Sequence, residues 1–139
     1  MSGDADDIWR ALAAFVIDNR DSWRRAVVEA TGLPFSRIRI LRRLRRGPMT
    51  VKELAAAATL DAPATTVAVT DLQQRGLVVR APDPANRRCK TVSLTAAGEE
   101  VLRRIDEVDD PAPEAFAALD GADLAALRRV LAKLASPPE

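Results

Sequence analysis

Apolar side chains recur at helical spacing from Ile8 onward. Ile8, Leu12, Phe15, Val16, Trp23, Ala26 and Val27 share one stripe of a helical wheel and predict one helix from Ile8 to Ala30. Gly32 and Pro34 end it. A second helix is expected from Phe35 or Ser36 to Arg46, with Ile38, Ile40, Leu41 and Leu44 on one face and Arg39, Arg42, Arg43 and Arg46 on the other, stopped by Gly47-Pro48. Thr50-Val51-Lys52-Glu53 has the form of a capping box and opens a short helix through Leu54 to Ala58. Asp61 is the next N-cap, with Pro63 tolerated in the first turn, and its helix runs to Gln74 or Arg75 before Gly76. Two short helices joined by Thr59-Leu60-Asp61 form a helix-turn-helix.

The period changes after Gly76. Leu77-Val78-Val79-Arg80 and Lys90-Thr91-Val92-Ser93-Leu94 are strand-like, and Pro82-Asp83-Pro84-Ala85-Asn86-Arg87-Arg88 between them is a basic, turn-forming tip, so the pair reads as a wing. Thr95 caps a further helix with Val101, Leu102, Ile105 and Val108 on one face, which Pro111 and Pro113 must end. A last amphipathic helix follows Asp120 and carries Leu124, Leu127, Val130, Leu131 and Leu134; residues 136–139 read as a loose tail. The fold class is therefore mainly α with a small β wing. The whole of 1–139 is expected to be a single domain, with about 33–105 as a DNA-binding core and about 6–31 and 99–136 as dimerisation helices.

Composition removes several function classes. The chain has 139 residues, one cysteine, no histidine and no tyrosine. No Ser-His-Asp or Cys-His nucleophile system can be assembled, and no His/Cys zinc site. None of the six glycines belongs to a phosphate-binding loop. No enzyme activity, metal or cofactor is expected. The acidic start Asp4-Ala5-Asp6-Asp7 is unlike a signal peptide, no run is apolar enough for a membrane span, and a lone Cys89 fits a reducing compartment, so a cytoplasmic location is expected. The net charge of +1 is uninformative, but its distribution is not. Arg37, Arg39, Arg42, Arg43, Arg45 and Arg46 form one basic cluster, and Arg80, Arg87, Arg88 and Lys90 a second.

Three stretches carry a family resemblance. Gly47-Pro48-Met49-Thr50-Val51-Lys52-Glu53-Leu54-Ala55 opens the helix-turn-helix; Leu72, Arg75-Gly76-Leu77-Val78 and Arg80 mark its exit. Asp83-Pro84-Ala85-Asn86-Arg87-Arg88 followed by Val92-Ser93-Leu94-Thr95-Ala96-Ala97-Gly98 gives a wing and the helix after it. Over about residues 33–105 the chain resembles the MarR family of bacterial regulators. The resemblance implies a homodimer formed by the first and last helices, which binds pseudo-palindromic double-stranded DNA. It also implies a transcriptional regulator, expected to be a repressor, that a small aromatic or anionic ligand can release. Two departures from the pattern, at three positions, stand out. Val67 and Asp71 stand where arginine is usual in the recognition helix, and Asn86 replaces the aspartate of the wing.

On the wheel, Thr65, Ala68, Val69 and Leu72 face inward, while Pro63, Thr66, Val67, Thr70, Gln73 and Gln74 face outward. Threonine and glutamine can bond base edges and Val67 can meet a thymine methyl, but the arc has no cation. Phosphate attraction must then come from the wing and the arginine-rich second helix. The expected DNA-contacting set is Arg39, Thr50, Ala62, Pro63, Thr66, Val67, Thr70, Gln74, Asn86, Arg87, Arg88 and Lys90. An alternative, a winged-helix protein-interaction module with weak or lost DNA binding, stays open because the recognition helix is uncharged. Asn19 falls within the first apolar stripe and Arg37 within the second. Either Asn19 bonds across the dimer or to backbone and Arg37 snorkels or pairs with an acid, or Phe15, Asn19, Trp23, Arg37 and Ile38 line a site for an anionic aromatic ligand. Cys89, flanked by Arg88 and Lys90, is expected to be incidental.

Overall fold

The computed structural model describes residues 3–136. Helix α1 (Asp4–Asp18) begins with Asp4, Asp6 and Asp7 in its first turn, where the helix dipole favours carboxylates. It does not continue to Ala30 as its apolar stripe predicts. Asn19 turns its side chain back, donating from Nδ2 to the Phe15 carbonyl at 2.8 Å, and a second helix, α2 (Asp21–Thr31), starts two residues later. A side chain that competes for backbone carbonyls in this way ends the ladder, while the hydrophobic period runs on across the break. The two halves differ in burial: α1 buries no side chain, whereas α2 buries Trp23 and Val27.

Helix α3 (Phe35–Leu44) puts Ile38, Ile40, Leu41 and Leu44 into the core. It closes two residues before Arg46, where Arg45 and Arg46 bond three residues back in a tighter turn. Strand β1 (Met49–Thr50) follows, too short to leave a periodic trace in sequence. The expected capping box opens α4 (Val51–Ala58): Thr50 Oγ1 accepts from the Glu53 amide, and Glu53 Oε1 accepts from the Thr50 amide. Thr59 makes the turn in a left-handed conformation, φ 57°. Asp61 caps α5 (Ala62–Gln74), accepting from the Ala64 amide at 2.7 Å.

Strands β2 (Val78–Asp83) and β3 (Asn86–Leu94) are longer than predicted and form an antiparallel hairpin from Val78↔Leu94 to Asp83↔Asn86. The sheet order is β1-β3-β2, so β2 is an edge strand, where proline is tolerated, and its register with β3 shifts between Pro82 and Asp83. Thr95 ties the exit of α5 to the next helix, α6 (Ala96–Asp106). Its hydroxyl donates to the Gly76 carbonyl at 2.6 Å and accepts from the Gly98 amide at 3.1 Å. Gly98 is required here, because a Cβ would overlap the Leu77 carbonyl. Val27, Ile38, Ile40, Leu41, Leu54, Val69, Leu72, Val78, Val92, Leu102 and Ile105 meet in one core.

This first unit extends to Asp109; a second begins at Asp110. The second holds a 3₁₀ turn (Glu114–Ala118) and α7 (Gly121–Ala135), opened by a capping box between Asp120 and Asp123. Leu124, Leu127, Val130, Leu131 and Leu134 lie exposed along α7. Of the tail predicted for 136–139, residues 137–139 lie outside the described residues.

Candidate nucleic-acid interface

The wheel division of α5 is seen in the burial of its residues. Thr65, Ala68, Val69 and Leu72 are buried; Ala62, Pro63, Thr66, Val67, Thr70, Gln73 and Gln74 are exposed. Thr65 tolerates the core because its hydroxyl donates to the Asp61 carbonyl at 2.8 Å. Thr66 donates in the same manner to Ala62, at 3.0 Å, which leaves its oxygen free to accept. Val67 presents an uncovered apolar tip between the two threonines, 63% exposed.

Cations reach this arc from neighbouring elements. Arg37 of α3 donates from Nε to Asp71 Oδ2 at 3.1 Å, and Arg75, just past α5, donates from Nε to both oxygens of Asp71 at 3.2 Å. The hydrogen bond from Arg37, followed by that from Arg75, holds the Asp71 carboxyl below its ordinary pKa. Asp71 is therefore bracketed by two guanidinium groups and presents no isolated negative charge. Arg80 of β2 reaches across from the hairpin: its Nη2 donates to Thr70 Oγ1 at 3.0 Å and to the Thr66 carbonyl at 3.4 Å. With its oxygen already accepting, the Thr70 hydroxyl proton is available to a partner outside the helix. Pro34, Arg37, Thr66, Val67, Thr70, Asp71, Gln74 and Arg75 line an open groove of about 570 Å³.

The hairpin carries Asn86, Arg87, Arg88 and Lys90, all exposed. Its tip is ordered by two side-chain acceptors: Asp83 Oδ1 takes the Ala85 amide at 3.0 Å, and Asn86 Oδ1 takes the Arg88 amide at 3.2 Å. Asn86 thus still organises the turn, without the charge that an aspartate would offer to an arginine.

Residues 31–88 match a model described as MarR family. This segment resembles the MarR-family winged helix. No curated protein matches the sequence significantly. Solved structures that resemble the chain include wild-type MarR in its apo form from E. coli, 22% identical, covering 91% of this chain and 96% of that one, with a TM-score of 0.74. RV1404 from Mycobacterium tuberculosis is 23% identical, covering 99% of each chain, with a TM-score of 0.71. The transcriptional regulator BldR from Sulfolobus solfataricus is 23% identical, covering 95% and 99%, with a TM-score of 0.65. At these identities the likeness is one of fold: mainly helical, with a small antiparallel wing.

On the MarR-type core, the expected DNA-contacting residues fall into separate groups. Ala62, Pro63, Thr66, Val67, Thr70 and Gln74 share the outer face of α5, and Asn86, Arg87, Arg88 and Lys90 share the hairpin. Thr50 is partly buried, its oxygen engaged in the α4 cap. Arg39 joins neither group; it lines a different cavity with Arg42, Arg43, Arg45 and Arg46.

The five residues expected around an anionic ligand differ in their burial and partners. Ile38 is sealed in the core, fully covered by its neighbours. Trp23 is buried edge-on against Phe35, with ring centroids 5.8 Å apart, and carries Arg20 and Arg42 on its ring. Asn19 is exposed and bonded to the Phe15 carbonyl, not set in a buried stripe, because the helix breaks there. Arg37 pairs with Asp71 at 3.1 Å, one of the two local fates expected for it.

Sequence reasoning misses Arg75 and Arg80 as partners of the recognition helix. Arg80 is visible in sequence as part of a basic cluster, but its bond to Thr70 depends on how the hairpin folds back. Arg37 and Asp71 lie 34 positions apart, and nothing local links them. Among the described residues, no group of His, Cys, Asp and Glu could hold a metal, and no helix is long and apolar enough to cross a membrane.

Proposed function

We propose that this chain is a DNA-binding transcriptional regulator that represses as a homodimer on a pseudo-palindromic operator. The observation that carries the reading is the outer face of α5. Its exposed Thr66, Val67, Thr70 and Gln74 offer hydrogen-bonding and methyl-contacting groups to base edges. Arg37, Arg75 and Arg80 supply from neighbouring elements the cations that the helix itself lacks. Arg87, Arg88 and Lys90 on the hairpin add the phosphate or minor-groove contacts of a wing.

Dimerisation is supported by apolar surface that the single chain leaves uncovered. Ile8, Trp9, Leu12, Val16 and Ile17 of α1 are all exposed, as is the leucine-rich stripe of α7 considered by itself. Contiguous apolar faces of this kind mark association surfaces. A two-fold dimer sets its recognition helices into successive major grooves, about 10 base pairs apart.

Selection of bound sequences from random duplex DNA, followed by footprinting, tests the reading. An inverted repeat with half-sites about one helical turn apart is expected. Light scattering at micromolar concentration should give twice the chain mass. A monomer, or an absence of any selected sequence, refutes it in favour of a protein-binding winged helix. The same regulator is expected in the cytoplasm, where fractionation would find it with DNA.

A further inference from the structure

The arginines of α3 remain outside the DNA-facing groups. Arg39, Arg42, Arg43, Arg45 and Arg46 together line a concavity of about 340 Å³ that includes no residue of α5 or the hairpin. Among the described residues, Arg45 alone of these five forms an ion pair, with Asp106 of α6 at 2.9 Å. Arg42 lies 4.9 Å from the Trp23 ring centroid, on a ring that Arg20 also approaches at 4.1 Å. Burial, and then the charges of Arg45, Arg20 and Arg43, lower the Arg42 pKa, while Asp106 opposes them only weakly. The carbonyls ending α3 contribute about half a negative charge, and Asp106 one more. Of the five guanidinium groups, only that of Arg45 has a carboxylate partner among the described residues, and the Arg42 charge is opposed by its cationic neighbours.

An anion would relieve that repulsion. Guanidinium forks match phosphate oxygens in bidentate fashion, and convergence on one hollow suits clustered charges better than a line of them. The volume is at the lower end of small-ligand sites, which start at about 300 Å³. We propose that this five-arginine hollow binds a compact polyphosphate, a chain of three or more phosphoryl groups, either inorganic or carried by a nucleotide. The Trp23 ring, on which Arg42 packs, supports that one side chain of the site from behind.

Calorimetry on the full chain at a fixed ionic strength of about 0.15 M tests this, with inorganic tripolyphosphate and a nucleoside triphosphate as separate titrants. One saturable site per chain is expected. Binding should weaken at least about tenfold in Arg42→Gln/Arg43→Gln/Arg46→Gln and change by less than about twofold in Arg87→Ala/Arg88→Ala. Because Arg42 packs on Trp23, Arg39→Gln/Arg43→Gln serves as a milder variant, with the fold checked by circular dichroism. Equal affinity for the two titrants assigns recognition to the phosphate chain; tighter nucleotide binding adds the nucleoside to the ligand. Lack of saturation overturns the proposal, as does equal weakening by the wing variant. So does displacement of tripolyphosphate by duplex DNA together with parallel loss of DNA binding in the α3 variants, which would make the hollow a DNA-backbone contact.

Discussion

Replacing Asp71 by asparagine removes the carboxylate that Arg37 and Arg75 share, while keeping its size. In the present arrangement Arg37, Arg75 and Arg80 give three positive charges at the outer face of α5, and Asp71 cancels one. The variant leaves all three. One added charge about 10 Å from the nearest few phosphates, screened over a Debye length of about 10 Å at 0.1 M salt, raises affinity by a factor of about two to three. If a freed guanidinium reaches a phosphate directly, the slope of log K against log salt steepens by about 0.9. Base preference should broaden, since Arg37 and Arg75 no longer have fixed positions. Fluorescence anisotropy with a selected operator and an unrelated duplex, between 50 and 200 mM salt or thereabouts, reads all three quantities. Acid unfolding gives an independent check. The Asp71 pKa is lowered in the folded chain, so its stabilising contribution is present above the ordinary carboxylate range and lost as pH falls through the lowered value. Wild type should therefore lose more stability than Asp71→Asn on descending below about pH 4. A variant that folds normally, yet binds every sequence more than about tenfold more weakly, would refute the reasoning. It would mean that the Arg37–Asp71–Arg75 bridge itself makes the contact.

Arg87→Ala/Arg88→Ala should weaken binding to all duplexes and lower the salt slope by about 0.9 for each phosphate left without its arginine, whereas Thr66→Ala or Thr70→Ala should change the selected sequence at nearly constant slope. Thr59 holds φ 57° despite its branched Cβ, so Thr59→Gly or Thr59→Asn is expected to raise stability by about 1 kcal/mol, measured by urea unfolding; a lower midpoint would show that the Thr59 side chain is needed. Gly98→Ala sets a methyl against the Leu77 carbonyl and should lose at least about 2 kcal/mol in the same assay. Cys89 is exposed on the hairpin, and Cys89→Ser should leave DNA binding and its response to peroxide unchanged.

The elements that sequence resolves well are those whose signals are local. Thr50, Asp61 and Thr95 each cap the helix that follows, because a hydroxyl or carboxylate at the right offset is sufficient to satisfy the first amides. The inward and outward residues of α5 follow from its period alone. The first helix misleads for the opposite reason: its hydrophobic period is continuous, but one asparagine bonding to a carbonyl four residues back divides it. The binding surface is less legible still. Sequence reads the recognition helix as lacking cations because it counts only residues within the helix, whereas Arg37 and Arg80 arrive from α3 and β2 through tertiary packing.

That division of labour bears on how the surface would work on DNA. A recognition helix carrying its own arginines draws attraction and base reading from the same side chains. Here the two are separated. Thr66, Val67, Thr70 and Gln74 project from α5 with short or neutral groups, while the cations stand around them on bases fixed by Asp71 and Thr70. Arg80 occupies both the Thr70 hydroxyl oxygen and the Thr66 carbonyl, so it takes the acceptors against which the Thr70 proton would otherwise rest. Thr70 is then biased towards donating, which favours base acceptors such as guanine O6 or N7, adenine N7 or thymine O4 over the amino groups of cytosine and adenine. Substituting Arg80 by methionine removes that bias without touching the outward arc itself. Preference at a single base pair of each half-site should relax by about 1 kcal/mol or more, with the remaining positions retained. If the relaxation spreads evenly over the whole site, Arg80 acts on the seating of the hairpin and not on Thr70.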